Sequence, residues 1–404
     1  MPTVRARSSS PAGGRRLPAV RAHVDTEAVV ALTSALVAVD TQNPPGNERP
    51  ISDAVHDALA RWRPVWTEVE PEPGRLSLVA ELPHPDGPGD RPTLIVNGHL
   101  DVVPVIRDAW TYEPFAPTVE GGRLYGRGSA DMKGGIAAAV CALDVLERAG
   151  RVPACNLVFH LVADEEVGGH VGTRALLERG LIKGDACLVP EPTSMQLCVA
   201  ERGLLQGYVT VHGRPGHGSR PKEAVSAIEH AARLVVGLHG AEFGEGEHPL
   251  LGRPTCNIGT IQGGNGLNVI AETCRFGVDR RVLPGATAEG SEAELRTRID
   301  SLGVEGLRYE FDLKVFGEAS ELPAGDAFLD HVRRSIVAAT GEQPDVVGMS
   351  FTTDARFVRN GAGVPAVVCG PGDVAQTHAV DEWVSIDRLI DATAAYAELY
   401  AAFS

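Results

Sequence analysis

Three short apolar stretches in the first half of this 404-residue chain run directly into histidine or carboxylates. Residues 93–97 (TLIVN) lead into Gly98, His99, Leu100 and Asp101. Residues 156–163 (NLVFHLVA) lead into Asp164, Glu165 and Glu166, and residues 186–189 lead into Pro190, Glu191 and Pro192. Runs of this length and apolarity read as buried strands. Between and before them the spacing is helical. Val29, Leu32 and Leu36 recur on one helical face behind Asp25, a residue suited to an N-cap. Ile51, Val55 and Leu59 repeat the pattern up to Pro64, and residues 134–148 and 173–179 read as two further helices. Alternation of this kind predicts a parallel or mixed sheet covered by helices. Ligands of such sheets bind beyond the carboxyl ends of the strands. The three strands therefore bring a histidine and several acids to one rim.

The pattern changes after about Gly203. Residues 207–212, 256–262, 273–282 and 308–315 read as strands, and 224–238 and 287–301 as helices, the second with Thr287 as a possible N-cap. The earlier alternation returns with a helix over 326–339, a strand over 366–369 and a last helix from Asp387. The expected fold is α/β. A mixed-sheet domain covered by helices spans 25–202 and 317–404, and an α+β lobe spans 203–316. A chain of this length is more than one core usually serves, which agrees with two units. Residues 1–24 carry Arg5, Arg7, Arg15, Arg16 and Arg21 with no acid before Asp25, and read as a disordered basic tail.

Composition narrows the function. With 43% hydrophobic and 22% charged residues, the chain has the makings of a globular protein. Acids outnumber bases 53 to 37, a formal net charge of −16, so a generally basic nucleic-acid binder is not expected. The longest apolar runs, such as 136–143, are far too short to cross a bilayer. Seven dispersed cysteines without a CxxC pair read as reduced thiols in a cytoplasmic protein.

A fourth segment joins the rim, the loop 126–133 (GRGSADMK) that opens the helix at Gly134. Asp101, Asp131, Glu165, Glu166 and Glu191 gathered in one place would repel and take up protons unless something positive lay among them. Divalent cations resolve this. Imidazole and carboxylate without thiolate suit zinc, cobalt or manganese in a catalytic setting. Taken singly, each residue has a structural reading. Asp131 is a plausible N-cap, Glu165 and Glu166 a solvated loop, and Glu191 a turn between prolines. Together, at successive strand ends, those readings require four coincidences.

The segments 97–104 (NGHLDVVP), 126–135 (GRGSADMKGG), 163–169 (ADEEVGG), 190–193 (PEPT) and 377–382 (THAVDE) resemble the metal-site motifs of the acetylornithine deacetylase and succinyl-diaminopimelate desuccinylase family. That family also contains aminoacylases, dipeptidases and glutamate carboxypeptidases. The resemblance runs from about Thr26 to Ala402. It implies two divalent metal ions per chain, zinc or cobalt. His99 and Glu191 would hold one and Glu166 and His378 the other, with Asp131 bridging them. It further implies that Asp101 hydrogen-bonds His99 and fixes its tautomer, and that Glu165 is the general base. His378 is implied by the resemblance alone.

In the lobe, 216–221 (GHGSRP) is similar to the family's His-x-Ser-x-Pro stretch, which sends a histidine into a neighbouring subunit. The resemblance thus implies a homodimer, with the lobe as lid and dimerisation domain and His217 donating to the oxyanion. Asn268 in 266–271 (GLNVIA) and Arg281 in 279–285 (DRRVLPG) match further family motifs, with Ala271 standing where the family has proline. Thr353 and Arg356 lie in a last one, 353–356 (TDAR). Arg281 and Arg356 are candidate carboxylate clamps; the alternative for each is a surface ion pair. The expected function is metal-dependent hydrolysis of an amide, removing an acyl group from a small N-acyl amino acid. A dipeptidase or carboxypeptidase acting on short peptides is the alternative within the class. A non-catalytic metal-binding scaffold is the alternative outside it. Neither nucleic acid nor membrane is an expected partner.

Overall fold

The computed structural model describes residues 20–404 apart from 83, 88 and 245. Helix α1 (Thr26–Val37) begins where the Asp25 side chain accepts a hydrogen bond from the Ala28 amide at 3.1 Å. Helix α2 (Ser52–Leu59) follows, then β1 (Val65–Val69), β2 (Ser77–Leu82) and β3 (Thr93–His99). A hairpin of β4 (Thr118–Glu120) and β5 (Arg123–Tyr125) precedes α3 (Gly134–Arg148). Next come β6 (Asn156–Val162), α4 (Thr173–Glu178), β7 (Ala186–Pro192) and β8 (Leu197–Glu201). The lobe contains β9 (Gly203–His212), α5 (Ala227–Leu238), β10 (Thr255–Gly263), β11 (Thr273–Val282), α6 (Ala288–Ser301) and β12 (Tyr309–Gly317). The chain closes with β13 (Ser320–Glu321), α7 (Ala327–Thr340), β14 (Val346–Met349), β15 (Ala366–Gly370), β16 (Trp383–Ser385) and α8 (Ile386–Ala402).

The large sheet is ordered β1-β2-β6-β3-β7-β15-β8-β13, with β14 also pairing to β8. Its centre is parallel, β6 and β7 flanking β3 and β15 lying beside β7, while β2 and β8 join antiparallel. Central strands buried on both faces explain the continuous apolar runs: Leu94, Ile95, Val96, Phe159, Leu188, Val367 and Val368 are all buried. Helices α3 and α8 cover one side. The Tyr396 and Tyr400 hydroxyls of α8 donate to the carbonyls of Cys369 and Ala139 at 2.6 and 3.0 Å. The lobe is a four-stranded antiparallel sheet, β10-β11-β9-β12, with its own core. Leu205, Val209 and Val211 of β9 pack there with Leu234 of α5 and Leu295 and Ile299 of α6. The α/β architecture with an α+β insertion is therefore present.

Several local details differ from the sequence reading. Strand β7 runs on through Pro192, so Glu191 is a strand residue and not part of a turn. Proline keeps an extended backbone, and β15 pairs in parallel as far as Pro192 across a bulge. Helix α5 starts at Ala227, not 224, because the Ser226 side chain caps the Glu229 amide at 3.2 Å. The basic tail lies outside the described residues up to 19, but its last residues are packed. Val20 is buried, and Arg21 pairs with Asp391 of α8 at 2.8 Å. Opposite charge on a long-range partner draws this end of the tail onto the fold. Strands β2 and β8 were not legible as strands. His160, in β6, is fully buried and both ring nitrogens lack a hydrogen-bond partner. Burial pushes its pKa down to about 4, as befits a neutral core residue.

Candidate metal centre

His99 ends β3, and its ring lies at the hub of the acidic residues. Nε2 is 3.1 Å from Asp131 Oδ1 and 3.5 Å from Glu191 Oε1. Nδ1 is 2.9 Å from the main-chain carbonyl of Asp101 and 3.6 Å from its nearer carboxylate oxygen. The carbonyl, not the carboxylate, is thus the nearer acceptor for Nδ1–H, and Nε2 is the ring nitrogen that faces the acids. The Asp101 carboxylate stays close enough to help hold the imidazole charged. It also accepts the amides of Glu165 and Glu166, both at 3.2 Å, and the Asn43 side-chain amide at 2.9 Å. Asp101 thereby fastens the acidic loop to β3.

Asp131 lies between two histidines. While Oδ1 faces His99, Oδ2 lies 3.6 Å from His378 Nε2. His378 Nε2 is also 3.1 Å from Glu166 Oε2, and Glu166 Oε1 accepts the Val103 amide at 3.2 Å. His378 has a positive φ of 60° and a half-exposed side chain. Two groups therefore share one carboxylate: His99 and Glu191 on one side of Asp131, His378 and Glu166 on the other. Single donor atoms of His99, Glu165 and Glu191 also lie within 4.8 Å of one another, as do those of His99, Asp131 and Glu166.

Charge in this cluster is frustrated. Burial and the neighbouring acids push the carboxyls of Glu165 and Glu191 well above the usual glutamate range. Burial and Asp131 raise Glu166 in the same direction. Burial opposes a charge on His99, but Glu191, Asp101 and Asp131 outweigh it and hold the imidazole well above its ordinary value. Asp131 is also opposed by burial, yet His99 and His378 draw it below the usual carboxylate range. Carboxylate and imidazole donors crowded in this way fit divalent cations, which neutralise the acids and accept the imidazole lone pairs. All seven cysteines are free and buried, and none belongs to the cluster.

The acids form part of a cavity of about 620 Å³ whose other walls come from both the lobe and the large domain. Leu204, Gln206 and Arg281 line it from the lobe, and Phe351, Thr353 and Arg356 from the large domain. Arg281 is oriented by Asp279, 3.1 Å from its Nε. Arg356 is buried and donates to the carbonyls of Thr353 and Gly168 at 3.0 and 2.7 Å, so it is not a surface ion pair. The Thr353 hydroxyl donates to Glu201 at 2.8 Å. His217 and Asn268 are neighbours at an exposed part of the lobe. Gly218 donates to the Asn268 carbonyl at 2.8 Å, and neither residue lines the cavity within one chain.

Sequence reasoning missed the buried groups behind the cluster. Arg75 donates to Glu48 twice at 2.9 Å and to Asp164 at 2.8 Å, which holds the residue ahead of Glu165. Glu48 and Arg75 stand far apart in sequence, and no spacing signal links them. Glu382 was within reach, because it closes the stretch 377–382 that contains His378. Burial raises its carboxyl to about 7, against the opposing pull of Arg127 and of two loop amides. All of its hydrogen-bond partners are donors, so the ionised form is the one that fits.

A mixed sheet that carries two histidine–carboxylate groups with a shared aspartate to the edge of a cavity has the donor set of a site for divalent cations. The chain belongs to Peptidase family M20/M25/M40, whose family model matches residues 95–402. Among curated relatives, the succinyl-diaminopimelate desuccinylase of Methylobacterium radiotolerans is 33% identical over 399 residues, covering 94% of this chain and 98% of that protein. The acetylornithine deacetylase of Proteus mirabilis is 30% identical over 372 residues, covering 88% and 89%. The crystal structure of aminopeptidase PepT from Bacillus cereus has the same fold, with a TM-score of 0.78 at 20% identity, covering 94% of this chain and 99% of that one.

Proposed function

We propose that the protein is a dinuclear amide hydrolase that removes the acyl group from an N-acyl amino acid. The observation that carries this reading is the placement of Asp131, one carboxylate oxygen toward His99 and the other toward His378. His99, Glu191 and Asp131 would hold one divalent cation, and His378, Glu166 and Asp131 the other, with zinc or cobalt the expected metals. Bound there, the cations supply Lewis acidity toward the amide carbonyl and lower the pKa of water.

The remaining tasks fall to side chains of the protein. Glu165 sits beside the ligands, its main chain fixed by Asp101 and its carboxyl raised by burial. A base with a raised pKa takes a proton from water and can still release it to the departing amine. Arg281, on the lobe side of the cavity and aimed by Asp279, would bind the substrate's α-carboxylate, with the buried Arg356 as a second cation on the large-domain side. His217 is exposed and away from its own chain's cavity, which supports a role in the cavity of a second copy, as an oxyanion donor within a homodimer. Asn268, packed beside it, would act from the same side. Seven free thiols agree with a reducing, cytoplasmic setting.

The test is a panel on metal-loaded protein: N-acetyl and N-succinyl amino acids, their carboxyl-capped amides, and dipeptides. Hydrolysis of N-acyl amino acids that falls off when the α-carboxylate is capped supports the reading. Faster cleavage of dipeptides than of any N-acyl amino acid would replace it with a peptidase.

A further inference from the structure

Glu382 is fully buried four residues beyond His378. Its Oε1 accepts the amides of Ala130 and Asp131 at 2.8 and 3.1 Å. Its Oε2 accepts the Gly128 amide at 3.1 Å and Arg127 Nη1 at 2.6 Å. Its main-chain carbonyl accepts the Gly126 amide at 2.9 Å. These amides lie ahead of α3, which starts only at Gly134, so the helix does not satisfy them. The backbone is also far from helical here, with Gly128 at φ 86° and Asp131 at φ −124°, ψ 90°. A loop of this shape is held by what its amides close upon, and they close upon one carboxylate.

We infer that Glu382 is the positioning residue of the centre: by gathering the amides of residues 128, 130 and 131 it holds Asp131 between His99 and His378. The inference rests on the proposed ligand set. It also predicts an asymmetry. His99 is buried at the end of β3 and is held independently by the Asp101 carbonyl. His378 is half exposed, at a positive φ, and its segment is joined to the Asp131 loop through Glu382. Loss of the Glu382 carboxylate should therefore weaken the cation between Asp131, Glu166 and His378 more than the cation beside His99.

The decisive variant is Glu382→Gln. It keeps the volume but puts an amide group, itself a donor, against either the Ala130 and Asp131 amides or the Gly128 amide and Arg127. A space-filling role would tolerate that change. The full-length variant and wild type are stripped with chelator, checked by circular dichroism, and titrated with Zn²⁺ against a chromophoric chelator. The expected result is a folded protein whose first equivalent binds nearly as in wild type and whose second is weakened about 10- to 100-fold, the usual cost of losing a partner behind a metal ligand. Two equivalents bound with wild-type affinity would overturn the inference. If the variant does not fold, hydrogen exchange on chelator-stripped wild type decides. Slow exchange at the Gly128, Ala130 and Asp131 amides supports the clasp, and exchange as fast as in an unstructured chain overturns it. A wild type that binds no cation overturns the ligand set itself, an outcome distinct from failure of Glu382 alone.

Discussion

Glu165 and Glu166 are adjacent in sequence, and both amides lean on the Asp101 carboxylate. Their side chains differ. The two carboxylate oxygens of Glu166 are engaged by the Val103 amide and His378, whereas no such partner holds the Glu165 carboxylate among the described residues. Glu165→Ala should therefore keep cation affinity close to wild type while turnover falls about 10²- to 10⁴-fold. Glu166→Ala should lose at least the ~10- to 100-fold in affinity that removal of even an outer partner costs. Steady-state kinetics alongside chelator competition would show reversed roles if the two variants exchange phenotypes.

The same residues make stability depend on pH. Glu165, Glu166 and Glu191 keep protons in the fold at pH values where an unfolded chain has released them, because burial and mutual repulsion raise them. His99, raised by its acids, likewise stays protonated above the usual histidine range. Both effects have one sign: at these groups the cation-free fold binds more protons than the unfolded chain, so their contribution to stability falls as pH rises above the ordinary glutamate range. Asp101 and Asp131 are shifted the other way, so their stabilisation is fully present above the ordinary aspartate range and is lost only as pH falls below it. Bound cations replace those protons, and their affinity grows with pH. The gap in Tm between metal-loaded and chelator-stripped protein should widen from about pH 5 to about pH 8. A constant gap in differential scanning fluorimetry would show that the cluster is not held by countercharge.

At the scale of elements, the site depends on how closely α3 approaches β7. Gly134 and Gly135 open α3, and a Cβ on Gly135 would overlap the Pro190 carbonyl oxygen and come within 2.9 Å of Pro190 Cβ. Pro190 precedes Glu191, so this contact sets how far β7 brings its carboxylate toward His99. Two effects oppose each other in Gly135→Ala. Helix propensity favours alanine by about 1 kcal/mol. Overpacking against a central strand costs typically about 1–3 kcal/mol. Both neighbours at Gly135 are backbone or ring atoms of a buried strand, with no flexible side chain to yield, so the clash should win. The expected result is a lower Tm and weaker binding of the cation beside His99. A more stable variant with unchanged binding would mean that β7 can shift freely.

Over the whole molecule, the cavity joins the two units: Leu204, Gln206 and Arg281 come from the lobe, and the acids from the large domain. His217 is also in the lobe but does not line this cavity. If it completes the site of a second copy, Glu165→Ala and His217→Ala should each be nearly inactive alone yet complement when mixed under subunit exchange. A mixed two-fold dimer has one site with both defects and one with neither. Random pairing makes half the dimers mixed, so roughly a quarter of wild-type activity should return. No recovery, with exchange shown independently by mass, would place His217 in its own chain or outside catalysis.

What the sequence determined by itself was local. Buried parallel strands need continuous apolar runs, and sheets of this kind collect ligands at strand ends, so the rim residues His99, Asp131, Glu165, Glu166 and Glu191 were legible from spacing and chemistry alone. Helix bounds were legible where a cap marked them, as at Asp25 and Thr287. His378 was not readable from its spacing, because a histidine in a loop carries no periodic signal and only its likeness to a motif singled it out. The tertiary structure decided what depends on pairs far apart in the chain. It made the Asp101 carbonyl, not its carboxylate, the near partner of His99, and it turned the Thr353 hydroxyl to Glu201. It closed Glu48 and Arg75 behind Asp164 and drew the 128–131 amides onto Glu382. Hydrogen-bond geometry varies over tenths of an ångström between groups brought together by folding, and no property of a residue or its neighbours in sequence encodes that distance.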